Sequence, residues 1–181
     1  DLADLIVSAG GLGLMQAIAS PVPPGCREEI RAPAVQMVLE SPDRLVAEAA
    51  IAAAGIEPLG DVDAGDMLAL ATATAPGPFA ARTHTLGRFW GVRNEGRLVA
   101  MAGERMRLPG LTEVSGVCSH PDVRGRGLAA ILCSRVARDV LARGDRPFLH
   151  AFASNTGAIG LYERLGFTLR REMTFVLLRP A

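Results

Sequence analysis

The amino-acid sequence predicts an α/β or α+β fold, in which a central sheet carries helices on both faces. The first observation is that short apolar runs alternate, from Glu57 onward, with segments whose apolar residues recur at helical spacing. The second is the composition: 49% of the 181 residues are hydrophobic and 21% are charged, a mixture typical of globular domains. This length suits one domain with a full core, or one domain plus a partial second unit.

The first 56 residues are predicted to form a partial N-terminal unit or extension, joined to a larger domain of residues 57–181. The stretch PVPPG (Pro21–Gly25) lacks amide donors at its prolines and fixes the backbone angles, so it should separate two elements. We expect one strand before it, in GLGLMQAI, and another after it, in AVQMVLE.

The larger domain is predicted to begin with a short strand, EPLG, and a helix that Asp61 or Asp63 can cap and PGPF ends. The stretch RFWGVRNEGRLVAMAGERM contains two apolar runs around RNEG. Asn94 and Gly96 supply turn chemistry there, so a hairpin is expected, with Phe89 and Trp90 in the core. TEVSGVC follows as another strand.

Helix and strand alternate in the second half of this domain. The first helix ends at Gly144 and is predicted from apolar residues at helical spacing, which are Leu128, Ile131, Leu132, Val136 and Val140. RPFLHAFA is a buried strand candidate, TGAIGLYERLG is a short helix ended by Gly166, and MTFVLL is the last strand.

Charge and cysteine content exclude several classes of function. The 19 basic residues balance 19 acidic ones and are scattered arginines, so neither nucleic acid nor an anionic membrane is expected as a partner. Cys26, Cys118 and Cys133 are odd in number and lack metal-ligand spacing, which indicates neither disulfides nor zinc. No apolar run reaches the roughly 18 residues of a membrane span, and the N-terminal stretch lacks the basic start of a signal peptide. We therefore expect a soluble, cytoplasmic protein.

The stretch HPDVRGRGLAAIL (His120–Leu132) places two glycines and two arginines before a predicted helix. A helix N-terminus carries unpaired amides and a partial positive charge. Gly125 and Gly127 allow a phosphate to approach the backbone, and Arg124 or Arg126 can add charge-assisted hydrogen bonds. The stretch therefore predicts a phosphate site; the alternative is a tight turn with solvated arginines. A mononucleotide loop would need a lysine, which this chain lacks, and a dinucleotide loop a third glycine.

Two segments in this order, VCSHPDVRGRGLA and NTGAIGLYERLGF, resemble the signature segments of the GNAT superfamily of acyl-CoA-dependent N-acyltransferases. The matching positions are Arg124, Gly127 and Ala129 in the first segment, and Asn155, Tyr162, Gly166 and Phe167 in the second. The resemblance covers Glu57 to about Pro180, and the C-terminal region is most similar to the glycine N-acyltransferase-like branch. It implies a mixed sheet whose fourth and fifth strands splay apart.

The resemblance also implies the cofactor-binding residues. The amides at the splayed end of the fourth strand would bind the pantetheine arm of acetyl-CoA, and the glycine-rich segment would bind its pyrophosphate. The strand residues are Val117, Cys118 and Ser119, and the loop residues are Arg124, Gly125, Arg126, Gly127, Leu128, Ala129 and Ala130. Asn155 would lie near the pantetheine, and Tyr162 would face the thioester sulfur as the proton donor. Many relatives carry an aliphatic residue in place of Ser119.

Two residues could accept the proton of the amine, directly or through water. Glu113 begins the fourth strand, where many relatives carry an acid, and His150 lies in the fifth strand, where some relatives carry a glutamate. Glu113 could equally be a solvated charge and His150 a hydrogen-bonded core residue, although imidazoles ordinarily titrate near neutral pH; we favour His150. His84 could line the pocket for the acceptor, and His120 is expected to pack in a surface loop.

These inferences predict an N-acetyltransferase that moves an acetyl group from acetyl-CoA directly to a primary amine, with no covalent enzyme intermediate and no metal. The acceptor would be a small molecule or an amino acid. The predicted assembly is either a monomer or a homodimer. One alternative is a catalytically silent acyl-CoA-binding regulatory module. Another is a protein N-acetyltransferase, which differs only in its acceptor groove.

Overall fold

A computed structural model describes residues 1–18 and 20–181. Within them lie eight strands: β1 (Leu12–Gln16), β2 (Cys26–Leu39), β3 (Glu57–Leu59), β4 (Phe89–Asn94), β5 (Arg97–Leu108), β6 (Leu111–Ser119), β7 (Arg146–Phe152) and β8 (Phe167–Pro180). The α-helices are α1 (Leu2–Ala9), α2 (Glu48–Ala53), α3 (Ala64–Thr74), α4 (Leu128–Ala142) and α5 (Thr156–Arg164). Every strand and helix named from the sequence is confirmed.

The eight strands form one sheet in the order β1-β8-β2-β7-β6-β5-β4-β3. The sheet is mixed, because β6 and β7 pair in parallel while β3, β4, β5 and β6 pair successively as antiparallel neighbours. β1 pairs antiparallel with β8. The predicted fold class is therefore confirmed.

The chain divides into two compact units. The smaller unit comprises Asp1–Met37, His150–Gly160 and Leu169–Ala181, and the larger unit comprises Val38–Leu149 and Leu161–Thr168. These units are each made of separate segments of the chain, whereas the boundary predicted near residue 56 divides the sequence once. That boundary stays a prediction. In the smaller unit the core contains Ile6 of α1 packed with Val176 and Leu178 of β8.

The larger unit carries helices on both faces of its strands. Phe89 is buried and packs in one cluster with Met67 and Leu70 of α3. The next residue, Trp90, has the guanidinium of Arg135 in α4 stacked 3.9 Å from its ring centroid. Because neighbouring residues of a strand point to opposite faces, α3 and α4 cover opposite faces, as the sequence predicts.

Asp63 acts differently from the predicted helix cap. It stands directly before α3 but makes no capping bond to that helix; instead its carboxylate accepts from the Gly60 amide and pairs with Arg93. These contacts lower its pKa, with the Gly60 bond the largest cause. Arg93 also pairs with Glu57 and Asp66, so one guanidinium ties β4 to β3 and α3.

Helix α1 was not predicted from the sequence, although its N-terminus is strongly encoded. Asp1 and Asp4 form a reciprocal capping box, in which the Asp4 amide donates to the Asp1 carboxylate and the backbone nitrogen of Asp1 donates to the Asp4 carboxylate. The helix ends at Gly10, whose φ of 68° is left-handed. Both termini of this short helix are therefore satisfied locally.

Gly166, the predicted end of α5, occupies a position that strongly disfavours any residue with a side chain. Its φ is +92°, and an added Cβ would lie 2.9 Å from the Ser41 carbonyl carbon and closer still to the Ser41 oxygen. The Gly166 oxygen also accepts bonds from the Glu40 and Ser41 amides. The glycine therefore joins the turn after α5 to the segment after β2, within the larger unit.

We predict that Gly166→Ala destabilises the fold far more than Gly144→Ala, which serves as the matched control. Gly144 also ends a helix with a positive φ (+83°), but an added Cβ there meets nothing within 4 Å, so it carries only the left-handed strain of about 1–2 kcal/mol. The backbone clash should add roughly 1–3 kcal/mol at Gly166. Urea denaturation of both variants measures the difference, and equal losses would contradict the close contact.

Candidate active site

The site begins where the pairing of β6 with β7 ends. The parallel register runs from Leu111↔Arg146 to Glu113↔Phe148, and β6 continues to Ser119 beyond the last pair. The two strands are thus paired at their N-terminal ends, as expected for a splayed fourth and fifth strand of the larger domain. The C-terminal half of β6, as far as Ser119, lies beyond the paired residues of that register.

A bulge interrupts β6 in this C-terminal half. Met101 pairs with Cys118 and Gly103 pairs with Ser115, so Ala102 opposes both Gly116 and Val117. Gly116 has a φ of +63°, a backbone conformation that favours glycine. A bulge disrupts the ladder locally, which frees backbone groups beside the predicted pantetheine residues. Sequence reasoning did not use the signal available, an isolated glycine inside a strand.

Two groups at the end of β6 are buried, the Cys118 side chain and the Ser119 hydroxyl oxygen. Cys118 packs in the core of the larger unit, and burial raises the pKa of its thiol to about 11. The Ser119 hydroxyl oxygen is inaccessible to solvent and has no hydrogen-bond partner among residues 1–18 and 20–181. A buried hydroxyl without a partner costs about 1–3 kcal/mol, so a polar group of a ligand at this strand end would relieve that cost.

The loop after β6 leads into α4 through two left-handed glycines. Gly125 and Gly127 have φ values of 79° and 77°, and an added Cβ at either would meet nothing within 4 Å. The glycines are therefore required first by the backbone conformation. Any side chain there would also project into the open space in front of the helix, where the predicted phosphate would bind.

The first turn of α4 offers unpaired amides to that space. Gly127 precedes the helix without a side-chain cap, and the first intrahelical bond in α4 runs from the Ile131 amide to the Gly127 oxygen. The amides of Leu128, Ala129 and Ala130 therefore lack intrahelical acceptors. Arg124 and Arg126 are exposed, so positive charge stands beside the positive end of the helix dipole.

Tyr162 lies in the core of the larger unit, 7% exposed. Its ring makes an edge contact with Phe167 at a centroid distance of 6.1 Å. Burial is the main cause that raises the pKa of the phenol, and the thiols of Cys133 and Cys118 raise it further. The phenol therefore stays protonated at neutral pH and lies near the predicted pantetheine residue Cys118.

Glu113 is held in a buried ion pair. Its carboxylate is 1% exposed and receives two parallel hydrogen bonds from Arg105, from Nε to Oε2 and from Nη2 to Oε1, each 2.9 Å long. This burial excludes the alternative that Glu113 is a solvated charge at the strand end. The pairing gives Glu113 a clear role in holding β5 against β6.

His150 and Asn155 belong to the smaller unit. The Gln36 amide lies 3.1 Å from Nε2 of His150. The Asn155 side chain accepts a bond from the Ala158 amide and its carbonyl accepts from Ile159, so it caps α5. Asn155 therefore has a structural task beside its predicted place near the cofactor.

The other two histidines have defined surroundings in the larger unit. His120 packs in the loop as predicted, with Arg97 Nη2 2.7 Å from its Nε2. His84 places its Nε2 3.0 Å from Asp61 Oδ1. It lines a cavity of about 710 Å³, whose walls are Pro58, Leu59, Gly60, Asp61, His84, Thr85, Gly87, Arg88, Phe89 and Trp90. None of the predicted catalytic or cofactor-binding residues lines it, and its use by an acceptor stays a prediction.

Comparison with known proteins decides the family. The FR47-like protein family model matches residues 89–176. The structure of a GNAT-family protein from Novosphingobium aromaticivorans is 47% identical, covers 99% of this chain and 79% of that one, and superposes with a TM-score of 0.89. The chain belongs to the GNAT family. Acetyl-CoA is the acyl donor that this family implies.

Two further matches are more limited. An acetyltransferase from Pectobacterium atrosepticum is 44% identical over 50 residues, which are 26% of this chain and 35% of that protein. The chain therefore spans about a third of the length of that curated relative. The ribosomal-protein-S18-alanine N-acetyltransferase from Escherichia coli shares the GNAT fold at 22% identity and a TM-score of 0.57, over 69% of this chain and 92% of that one.

The residues of this GNAT chain fit acetyl-CoA. Three unpaired amides at the start of α4 suit a pyrophosphate, and the bulge at Gly116 with the unpartnered Ser119 hydroxyl suits the polar pantetheine arm. Across residues 1–18 and 20–181, no group of three or more His, Cys, Asp or Glu residues could hold a metal ion. No helix in the same residues is long and apolar enough to cross a membrane.

Two buried thiols in this GNAT core give an expectation for stability at alkaline pH. Burial raises the pKa of Cys133 to about 12 and that of Cys118 to about 11, so the folded chain keeps protons that the unfolded chain loses above about pH 9. We predict that the free energy of unfolding falls between about pH 9 and 11, by up to about 1.4 kcal/mol per pH unit for each group.

Chemical denaturation across this pH range measures the slope. Cys133→Ala should make it shallower, whereas Cys26→Ala, at a partly exposed position, should leave it unchanged. An unaltered slope in Cys133→Ala would show that the buried thiol does not cause the pH dependence.

Proposed function

We propose that this chain is an N-acetyltransferase that moves the acetyl group of acetyl-CoA directly to a primary amine of a small molecule or an amino acid. The observation that carries the proposal is the N-terminus of α4, which is preceded by Gly125 and Gly127 and follows the bulged C-terminal end of β6. Family membership supplies the donor. The cytoplasmic location, the homodimer and the glycine N-acyltransferase-like branch remain predictions.

Tyr162 would protonate the departing thiolate. Its raised pKa keeps the proton on the phenol through the neutral range, and a protonated phenol is the form that can donate. The thiols of Cys118 and Cys133 influence its charge, which supports a position beside the end of β6. The amides of Leu128 to Ala130 would meanwhile hold the pyrophosphate and fix the register of the donor.

His150 is the better candidate for the base. Protonating Glu113 would remove the charge that Arg105 pairs with in a buried site, a change that typically costs about 3–5 kcal/mol. Using Nε2 of His150 would require the amine to displace the Gln36 amide, and a hydrogen bond to such a neutral group is worth about 0.5–1.5 kcal/mol. The buried ion pair with Arg105 therefore argues against Glu113, and His150 is the base that we propose.

A second candidate function is the catalytically silent acyl-CoA-binding module. It is favoured by the engagement of both candidate bases, Glu113 with Arg105 and His150 with Gln36. A panel of amino acids, polyamines and aromatic amines, assayed for release of free CoA, separates the two functions. Release that depends on one of these amines supports the enzyme. Tight binding of acetyl-CoA with no amine-dependent release from any of them supports the silent module.

We predict that Gly127→Glu weakens acetyl-CoA binding at least about tenfold, or about 1.4 kcal/mol. The added carboxylate would project into the space that the pyrophosphate needs and would repel it. Gly144→Glu is the matched control, since it places the same side chain at a left-handed glycine (+83°) after the other end of α4. Calorimetry should show the loss in Gly127→Glu alone; equal affinities in two folded variants would remove the phosphate-site assignment.

We predict that Tyr162→Phe lowers kcat by about 100-fold or more, the usual contribution of a general acid. The phenyl ring keeps the contact with Phe167, so thermal stability and acetyl-CoA affinity should stay close to those of the parent protein. Steady-state kinetics with the best amine of the panel measures the change. An unaltered kcat would leave Tyr162 with a packing role only.

A further inference from the structure

Three polar side chains from three strands meet in the smaller unit. Nη1 of Arg170 in β8 donates a hydrogen bond to Oε1 of Gln36 in β2, at a distance of 2.5 Å. The other end of the same amide, Nε2 of Gln36, lies 3.1 Å from Nε2 of His150 in β7. A guanidinium, an amide and an imidazole therefore form a continuous chain of hydrogen bonds.

The direction of this chain follows from Arg170. A guanidinium can only donate hydrogen bonds, so the Gln36 atom that faces it must be the acceptor, the amide oxygen. The orientation of the Gln36 amide is thereby assigned from its network. Its nitrogen, which carries two N–H donors and no acceptor, is left to face His150.

The tautomer of His150 follows in turn. Because the Gln36 nitrogen donates, Nε2 of His150 must accept and carries a lone pair. A neutral imidazole has one N–H, so the proton of His150 resides on Nδ1. If the Gln36 amide rotated by half a turn, its oxygen would face the ring and would favour the opposite tautomer, with the proton on Nε2.

We propose that Gln36 and Arg170 are positioning residues that keep Nε2 of His150 unprotonated, so that it can take the proton of the acceptor amine. The proposal rests on the function proposed above, in which His150 is the base. The incoming amine replaces the Gln36 amide at the lone pair. An N–H bond of the amine then breaks, its electron pair stays on the amine nitrogen, and the proton moves to Nε2.

Arg170 prevents the amide from rotating. It is exposed and its guanidinium donates to the Gln36 amide oxygen, and we infer that its effect on the imidazole passes through that amide. Arg171, the next residue of β8, is also exposed and makes no side-chain hydrogen bond or ion pair with the described residues. It therefore offers a control in which the same charge is removed from the same strand.

The test is nitrogen-15 NMR of the imidazoles at about pH 8.5, where an ordinary imidazole is neutral. The chain has three histidines, and His150→Gln identifies the resonances of His150 by their loss. Arg170→Met removes the donor, Arg170→Lys restores one, and Arg171→Met is the charge control. Each variant is first checked for the dispersed spectrum of a folded protein, and kcat/KM is then measured with acetyl-CoA and the best amine of the panel.

We expect the Nδ1-protonated ring in the parent protein, in Arg170→Lys and in Arg171→Met. In Arg170→Met the tautomer ratio should shift at least about tenfold toward Nε2–H, and kcat/KM should fall with it. A parent ring protonated on Nε2, or an unchanged ratio in Arg170→Met, would overturn the positioning role. A shifted ratio with unchanged kcat/KM would instead overturn His150 as the base. If no amine is acetylated the proposed function fails, and the NMR result still decides the tautomer.

Discussion

The parallel pairing of β6 with β7 is the constraint on which the arrangement of the site depends. Parallel neighbours cannot be joined by a tight turn, so the chain must cross over between them, and α4 is that crossover. Its N-terminus therefore follows the C-terminal end of β6. The helix is anchored by Leu132, Val136 and Val140, which are fully buried, so the position of its first turn is fixed by packing rather than by the loop.

This arrangement places three sources of anion affinity at one point. The first amides of α4 are unpaired, the positive end of its dipole faces the loop, and exposed arginines stand beside both. The bulge at Gly116 adds released backbone groups on the strand side. The same site then needs little from individual side chains, which explains how a chain without lysine can present a phosphate-binding loop.

Local signals made much of the fold predictable. The hairpin around Asn94 and Gly96, the apolar spacing in α4 and the glycine pair at Gly125 and Gly127 each encode their structure within a few residues, and the structure reproduces them. Helix α1 carries an equally local signal in its capping box, although this stretch is tested in the sequence only for the basic start of a signal peptide and no element is predicted there. The omission lay in the interpretation of the sequence.

Long-range partners left no comparable trace. Glu104 is fully buried between Arg107 and Arg143, and Arg143 lies 39 residues away. Gln36 and His150 are separated by 114 residues. No periodicity or spacing predicts such pairs, because they depend on which strands become neighbours. The sequence could therefore indicate candidate bases but could not show that Arg105 and Gln36 engage them.

Hydrogen exchange followed by mass spectrometry tests most directly whether the end of β6 and the start of α4 bind the cofactor. The measurement compares peptides from residues 117–131 with the rest of the chain, with and without saturating acetyl-CoA. The account predicts that exchange slows in these peptides, by at least about tenfold for the first amides of α4, which corresponds to about 1.4 kcal/mol of added protection. If acetyl-CoA binds and exchange in residues 117–131 stays unchanged, or if only other peptides become protected, the result contradicts this account.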